Sequence, residues 1–165
     1  MEQAETDRGA EILAPLKKEL KQALVAGMQQ GPLNAISVCK ERAPAIAESL
    51  SIDGVEIGRT SHRLRNPANV APRWVTEVLT DYLNDGSDLS PRAVRLADNR
   101  NGYVEPIMLQ PLCVTCHGKT IEPDIAAHIN EAYPTDEATG FEVGDLRGVY
   151  WVAYAATERS AKVLN

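Results

Sequence analysis

Residues 113–117 read Cys113-Val114-Thr115-Cys116-His117, and the interpretation of the whole chain starts from them. The pattern C-x-x-C-H is the attachment signature of a c-type haem. Two thiols three positions apart can reach the two vinyl groups of one porphyrin, and the histidine that follows can offer an imidazole nitrogen to the iron. The sequence therefore predicts one covalently attached haem c, held by Cys113 and Cys116, with His117 as an axial iron ligand.

Other uses of the cysteine pair have to be weighed against the haem. A thioredoxin-like redox pair lies within a βαβ pattern, and no such pattern surrounds this pair. A zinc site normally needs four ligands, and the chain offers only one further cysteine and three histidines. A disulfide between residues so close together closes a loop that is too short to stabilise much. The haem interpretation is therefore favoured over the other three.

Length and charge narrow the class of protein. A chain of 165 residues with a net charge of −6 predicts a single domain over 1–165 with an acidic surface. Such a surface does not suit nucleic acid or an anionic membrane as a partner, and no apolar run is long enough to span a bilayer.

Residues 1–5 are polar and acidic, so no export signal is visible. Because haem is attached to C-x-x-C-H outside the bacterial cytoplasm, we expect a periplasmic or otherwise extracytoplasmic protein whose export signal has been removed.

Two helices are predicted over about residues 10–50. The first, over 10–30, carries an apolar stripe of Leu13, Leu16, Leu20, Leu24 and Met28. The second begins at Gly31-Pro32 and places Cys39 on its apolar face, three residues after Ile36. Pro44 predicts a kink just past Cys39, since it cannot donate to the carbonyl of Lys40. Cys39 is either a small buried hydrophobe or an axial thiolate on the iron.

A sheet that includes the haem-attachment region is predicted over about 54–158. Strand patterns occur near 55–61, 94–96, 103–109 and 145–156, with a turn at 99–102 before the third of them. Helical patterns occur over 72–84 and 123–133. The predicted fold class is therefore α+β, with long N-terminal helices and an antiparallel sheet.

Three arginines, Arg59, Arg63 and Arg65, lie close together in a chain that is otherwise acidic. The guanidinium fork matches a carboxylate, so these residues are candidate partners of the two haem propionates. The alternative is a solvated charged surface. The remaining candidates for an iron ligand are Met28, Met108, His62 and His128.

Several longer motifs occur in order along the chain from about Leu24 to Ala156: residues 35–39 (AISVC), 43–47 (APAIA), 57–61 (IGRTS), 63–69 (RLRNPAN), 113–117 (CVTCH) and 144–148 (GDLRG). Together they resemble a bacterial and cyanobacterial family of haem domains, related to the sensory regions of some membrane-bound histidine kinases. The resemblance implies a PAS-like fold, a c-type haem and a His/Cys axial pair. It makes Cys39 the second axial ligand.

Two functions are expected from such a site. With His117 and Cys39 both on the iron, no position is open to a substrate, and the thiolate favours ferric iron and a low reduction potential. This predicts low-potential electron transfer with an unidentified redox partner protein, or redox sensing. The alternative is a sensor of gases and redox state, in which Cys39 is displaced on reduction and carbon monoxide or nitric oxide binds. No distal acid–base set for a haem enzyme is evident, so we expect no enzymatic activity.

Overall fold

The computed structural model describes residues 2–156. In chain order the elements are α1 (Glu2–Gln29), α2 (Pro32–Leu50), β1 (Glu56–Thr60), α3 (Arg73–Asn84), β2 (Arg92–Arg95), β3 (Arg100–Met108), α4 (Val114–His117), α5 (Pro123–Ala132) and β4 (Leu146–Ala155). Short 3-10 helices cover Pro67–Asn69 and Pro111–Cys113. The predicted domain and sheet end at 165 and about 158, so their last residues, like residue 1, lie outside the described residues.

The strands of the described chain form one antiparallel sheet in the order β1-β4-β3-β2. The predicted α+β class is confirmed. The register of β3 against β4 shifts between Ile107 and Met108, at the point where β3 turns towards the Cys113–His117 segment. The β2–β3 turn lies at 96–99 rather than at the predicted 99–102, because Asn99 adopts a left-handed φ of 63° and the Leu96 amide donates to the Arg100 carbonyl.

Helices cover both faces of the sheet. α1 and α2 pack on one face, where Leu13, Leu16 and Ile46 meet Val152. α3 covers the opposite face, where Tyr82 lies in a cluster with Val149. This division follows from the alternation of side chains along β4. Within residues 2–156, no helix combines the length and the apolarity that crossing a bilayer requires.

The N-terminal helices differ from the prediction in two details. α1 begins at Glu2 rather than near residue 10, and its first turn is acidic, which suits the positive end of the helix dipole. The predicted stripe is buried only in its first half, because further along Ala23 and Gly27 form the buried positions. α2 continues through the exposed Pro44 to Leu50.

Gly27 explains why the second half of α1 does not bury the predicted stripe. A Cβ atom on Gly27 would lie 2.9 Å from the Ala35 Cα atom, so the end of α1 approaches the start of α2 too closely for a larger residue. Leu24 and Met28, on the adjacent positions of α1, line a cavity beside the sheet instead of the core.

Candidate functional site

A cavity of about 240 Å³ lies between α2, the sheet and the segment that carries α4. Its lining includes Cys113, Cys116 and His117 from one side and Cys39 from α2. The structure therefore brings together residues that the sequence predicted as ligands and that lie far apart along the chain. Met28 and Met108 also line this cavity.

Two short helical segments set the relative positions of Cys113 and Cys116. The 3-10 helix Pro111–Cys113 leads directly into α4, so Cys113 and Cys116 lie about one helical turn apart. Both are free, partly buried thiols. Cys113 packs beside Leu109, Ala138 and Phe141, whereas Cys116 packs against an apolar cluster that includes Ile36 of α2.

The His117 imidazole has a fixed orientation. Its Nδ1 atom lies 2.7 Å from the carbonyl oxygen of the fully buried Ala138. Donation of the Nδ1 proton to that carbonyl leaves the lone pair of Nε2 available to a metal. Burial, followed by the charges of Arg147 and Arg65, lowers the pKa of His117 to about 3, so the ring is neutral at pH 7 and in the form that binds metals.

Arg65 and Asp136 hold the backbone around this histidine. Their side chains are only 12% and 5% exposed, and Arg65 Nε donates to Asp136 Oδ1 at 3.0 Å. Arg65 Nη2 also donates to the carbonyls of Ala138, at 3.2 Å, and Cys116. Asp136 Oδ1 in turn accepts the Ala138 amide at 3.0 Å. We call Arg65 and Asp136 the clamp, because they tie α4 to the carbonyl that orients His117.

Cys39 lies on the other side of the cavity, partly buried on α2. Burial raises the pKa of its thiol, and the charges of Arg59 and Arg65 partly oppose that shift. Within residues 2–156 no hydrogen bond to the Cys39 sulfur is formed. The thiol is therefore protonated at neutral pH and would lose its proton on binding a metal.

The arginines predicted to meet propionates occupy different places. Arg59 and Arg65 line the cavity. Arg63 does not: its guanidinium lies 3.7 Å from the centre of the Phe141 ring, and its Nη1 donates to the Thr139 carbonyl at 2.7 Å. Arg147 of β4 lines the cavity as well, although the sequence did not mark it as a site residue.

The two other histidines lie outside the lining. His62 is exposed and meets the Phe141 ring edge-on, with the ring centres 5.9 Å apart. His128 is part of α5 and does not line the cavity either. Of the alternative iron ligands weighed from the sequence, only Met28 and Met108 thus lie where they could reach a group bound in the cavity.

The donor set fits a haem better than a bare metal ion. Within the described chain, no three His, Cys, Asp or Glu side chains gather as they would around zinc. The cavity instead offers a pair of reduced thiols, a neutral imidazole and a thiol on α2, together with cationic arginines and an apolar lining. Those are the groups that a covalently tethered, dianionic porphyrin needs.

Comparisons with known proteins place the chain in a family. The Tll0287-like family model matches residues 2–155. The chain belongs to the Tll0287-like family. Its structure is similar to that of the cyanobacterial heme-protein Tll0287, with a TM-score of 0.65 and 23% sequence identity over 88% of this chain and 93% of that chain. A comparison with curated proteins gave no match.

Membership of the Tll0287-like family supports the predicted α+β fold, since the structural likeness covers nearly all of both chains. The PAS-like designation and the His/Cys ligand pair stay predictions. Sequence reasoning missed Ala138, Asp136 and Arg147. Of these three residues, only Arg147 could have been identified from the sequence, because it lies within the 144–148 motif and interrupts the apolar pattern of β4.

Proposed function

We propose that this chain is a c-type haem protein that carries one covalently attached haem and acts in low-potential electron transfer or redox sensing. The observation that carries the proposal is the convergence of Cys113, Cys116, His117 and Cys39 on one cavity. Membership of the Tll0287-like family, and a structural relative that is described as a heme-protein, support the choice of cofactor.

Each of the four residues has a separate part in holding the group. Cys113 and Cys116 would each add an S–H bond across one vinyl group, which would form two thioether bonds without consuming an oxidant. His117 presents Nε2 because Ala138 holds its Nδ1 proton. Cys39 would bind the iron from the α2 side as a thiolate. When bound, the haem supplies a one-electron couple between ferric and ferrous iron.

The same arrangement supports a carrier rather than an enzyme. With His117 and Cys39 both engaged, neither side of the iron would be open to a substrate. A thiolate ligand favours the ferric state and lowers the reduction potential, which suits exchange of electrons with a low-potential partner protein. Attachment through C-x-x-C-H supports a periplasmic or otherwise extracytoplasmic location.

A sensor of redox state or of small gases is the second candidate function. It is favoured by the setting of Cys39, which is held on α2 without a hydrogen bond to its sulfur in the described chain. Burial raises the pKa of this thiol, which favours the protonated form of a Cys39 that has left the iron. Carbon monoxide or nitric oxide could then occupy the vacated position. Gas binding to the reduced protein, together with a change in the position of α2, would favour the sensor function over electron transfer.

The attachment is tested by producing the chain with an export signal in a host that matures c-type cytochromes. We expect a coloured protein whose denatured form retains one haem by mass and by haem staining. The Cys113→Ala/Cys116→Ala variant should lose its haem on denaturation. A colourless wild-type protein from a host that matures a control cytochrome would overturn the proposal.

The second ligand is tested by absorption and electron paramagnetic resonance spectra of the Cys39→Ser variant. We expect loss of the ferric thiolate signature and a raised reduction potential, with the covalent attachment intact. Ser37→Ala, at an exposed position on the same helix, is the matched control and should keep the wild-type spectrum. An unchanged Cys39→Ser spectrum would move the assignment to Met28 or Met108.

A further inference from the structure

The charge of the cavity is opposite to the charge of the chain. The protein carries a net charge of −6. Nevertheless, the charged residues among the described lining are all arginines: Arg59, Arg65 and Arg147. No carboxylate belongs to that lining. All three residues are partly buried, and a charge that is partly removed from water is stabilised by a counter-charge, so an anion in the cavity would stabilise these guanidinium groups.

One of the three already has its anion. Arg65 is paired with the buried carboxylate of Asp136, and its Nη2 atom donates to the carbonyls of Cys116 and Ala138. The clamp thus neutralises the charge of Arg65 and engages its Nε and Nη2 atoms. The charge that Arg65 can offer to a further carboxylate is therefore small.

Arg59 and Arg147 are in the opposite situation. Within residues 2–156, Arg59 forms no hydrogen bond or ion pair. Arg147 forms no ion pair either: its guanidinium donates one hydrogen bond, to the carbonyl of Arg63 at 3.3 Å, and lies 5.4 Å from the centre of the Phe141 ring. Burial, together with the charges of Arg65 and Arg59, lowers the pKa of Arg147 to about 10, so its guanidinium is charged at neutral pH and in need of a counter-charge. Two unpaired cations therefore face one cavity.

We propose that Arg59 and Arg147 are the carboxylate-binding pair of this cavity, and that they balance the two propionates of the haem. The inference rests on the proposed function and deepens it. It assigns Arg65 to the clamp and leaves Arg63 on Phe141, outside the cavity. Two guanidinium groups against two carboxylates leave the occupied cavity near neutral, as a buried site requires.

The pair has a measurable consequence for the iron. A cation near a metal favours the state with the lower positive charge, so Arg59 and Arg147 stabilise the ferrous state. They also hold each carboxylate in a directional, charge-assisted contact. The propionate vibrations and the midpoint potential of the holoprotein therefore both report on these residues, independently of any activity.

The experiment compares Arg59→Gln and Arg147→Gln holoproteins with Arg63→Gln, using resonance Raman spectra and redox titration. Arg73→Gln, whose side chain is 93% exposed, controls for the loss of one positive charge. We expect shifted propionate bending bands and a lowered midpoint potential in the first two variants only. Wild-type bands and potential in both of them, or an equal shift in Arg63→Gln, would overturn the assignment.

Conservative variants keep the test decisive if a glutamine variant does not fold. Arg59→Lys and Arg147→Lys retain the charge but replace the two-point fork by a single ammonium. They should keep a midpoint potential close to that of the wild type and still shift the propionate bands. Lysine variants whose bands match the wild type would overturn the inference.

The proposed function and this inference would be overturned by different results. A wild-type protein that carries no haem would overturn the proposed function and this inference together. If the wild-type protein carries its haem normally and the propionate bands are the same in the Arg59 and Arg147 variants, this inference alone would be overturned.

Discussion

The two walls of the cavity are held in place by different forces. The attachment wall, residues 113–118, is fixed by directional bonds: the amides of Phe141 and Gly140 donate to the carbonyls of His117 and Gly118 at 3.0 and 2.9 Å, and the clamp adds further bonds. The helix wall, α2 with Cys39, is held by apolar packing, with Ile36 beside Cys116 and Ala35 close to Gly27.

This difference indicates which side of the site can move. Hydrogen bonds weaken steeply when their angle or length changes, so the attachment wall holds His117, Cys113 and Cys116 in one geometry. Apolar packing is not directional, and α2 can therefore shift slightly at a smaller cost. A fixed tether opposite an adjustable ligand is the arrangement that the sensor function needs, whereas the carrier function needs both walls to stay still.

The largest effect is expected from breaking the attachment wall at Asp136. The Asp136→Asn substitution leaves the Arg65 charge buried and unpaired, which should cost about 3–5 kcal/mol of unfolding free energy. Urea unfolding followed by circular dichroism measures this loss. Because Asn can still accept the Ala138 amide, the loss reports the missing charge rather than a missing shape.

An exposed ion pair provides the control for that substitution. Arg73 and Glu77 form a pair on α3 whose side chains are 93% and 61% exposed. Glu77→Gln should therefore change the unfolding free energy by less than about 1 kcal/mol. If Asp136→Asn cost no more than Glu77→Gln, the clamp would not be what holds the attachment wall.

The two walls also differed in how well they could be predicted from the sequence. The pattern Cys113–His117 is local, and the apolar stripe of α2 marked Cys39. The sequence therefore predicted residues of both walls as candidate ligands, and these residues line the cavity. The clamp was not found, since Arg65 and Asp136 lie 71 residues apart and no local pattern links them. Arg63 and Arg65 were indistinguishable by sequence, and only the position of Phe141 separates their roles.

A smaller effect is expected from loosening the helix wall at Gly27. In Gly27→Leu the new side chain collides with Ala35, and overpacking of this kind typically costs about 1–3 kcal/mol. α2 should move away from α1 and carry Cys39 with it. We expect weakened thiolate features in the holoprotein spectrum, while the mass still shows one covalent haem.

The matched control is Ala26→Leu, one residue earlier on α1 at an exposed position. It adds the same side chain without pressing on α2, so it should leave both the spectrum and the stability near those of the wild type. An unchanged thiolate spectrum in a destabilised Gly27→Leu protein would show that Cys39 does not depend on this packing, and that the helix wall is as firmly fixed as the attachment wall.

The smallest effect at neutral pH is expected from a substitution on the face of the sheet that α3 covers. This substitution distinguishes a general loss of stability from a change in the cavity. Tyr82 of α3 donates its hydroxyl to the Ser90 carbonyl at 2.6 Å. Tyr82→Phe should cost about 1 kcal/mol at pH 8 and leave the haem spectrum unchanged. Loss of thiolate features in this variant would mean that both walls respond to any change in the fold, and the contrast between them would disappear.

Ionisation of Tyr82 makes the difference in unfolding free energy between the wild type and Tyr82→Phe depend on pH. Burial raises the pKa of Tyr82 to about 12, whereas an unfolded tyrosine ionises near its ordinary value of about 10. The stabilisation is therefore complete below pH 10 and is lost as the pH rises towards 12, because the unfolded state then releases its proton first. The wild-type advantage over Tyr82→Phe should shrink over this interval in urea unfolding. A constant difference would show that the hydroxyl ionises as readily in the folded protein as in the unfolded one, so that burial by α3 does not protect it.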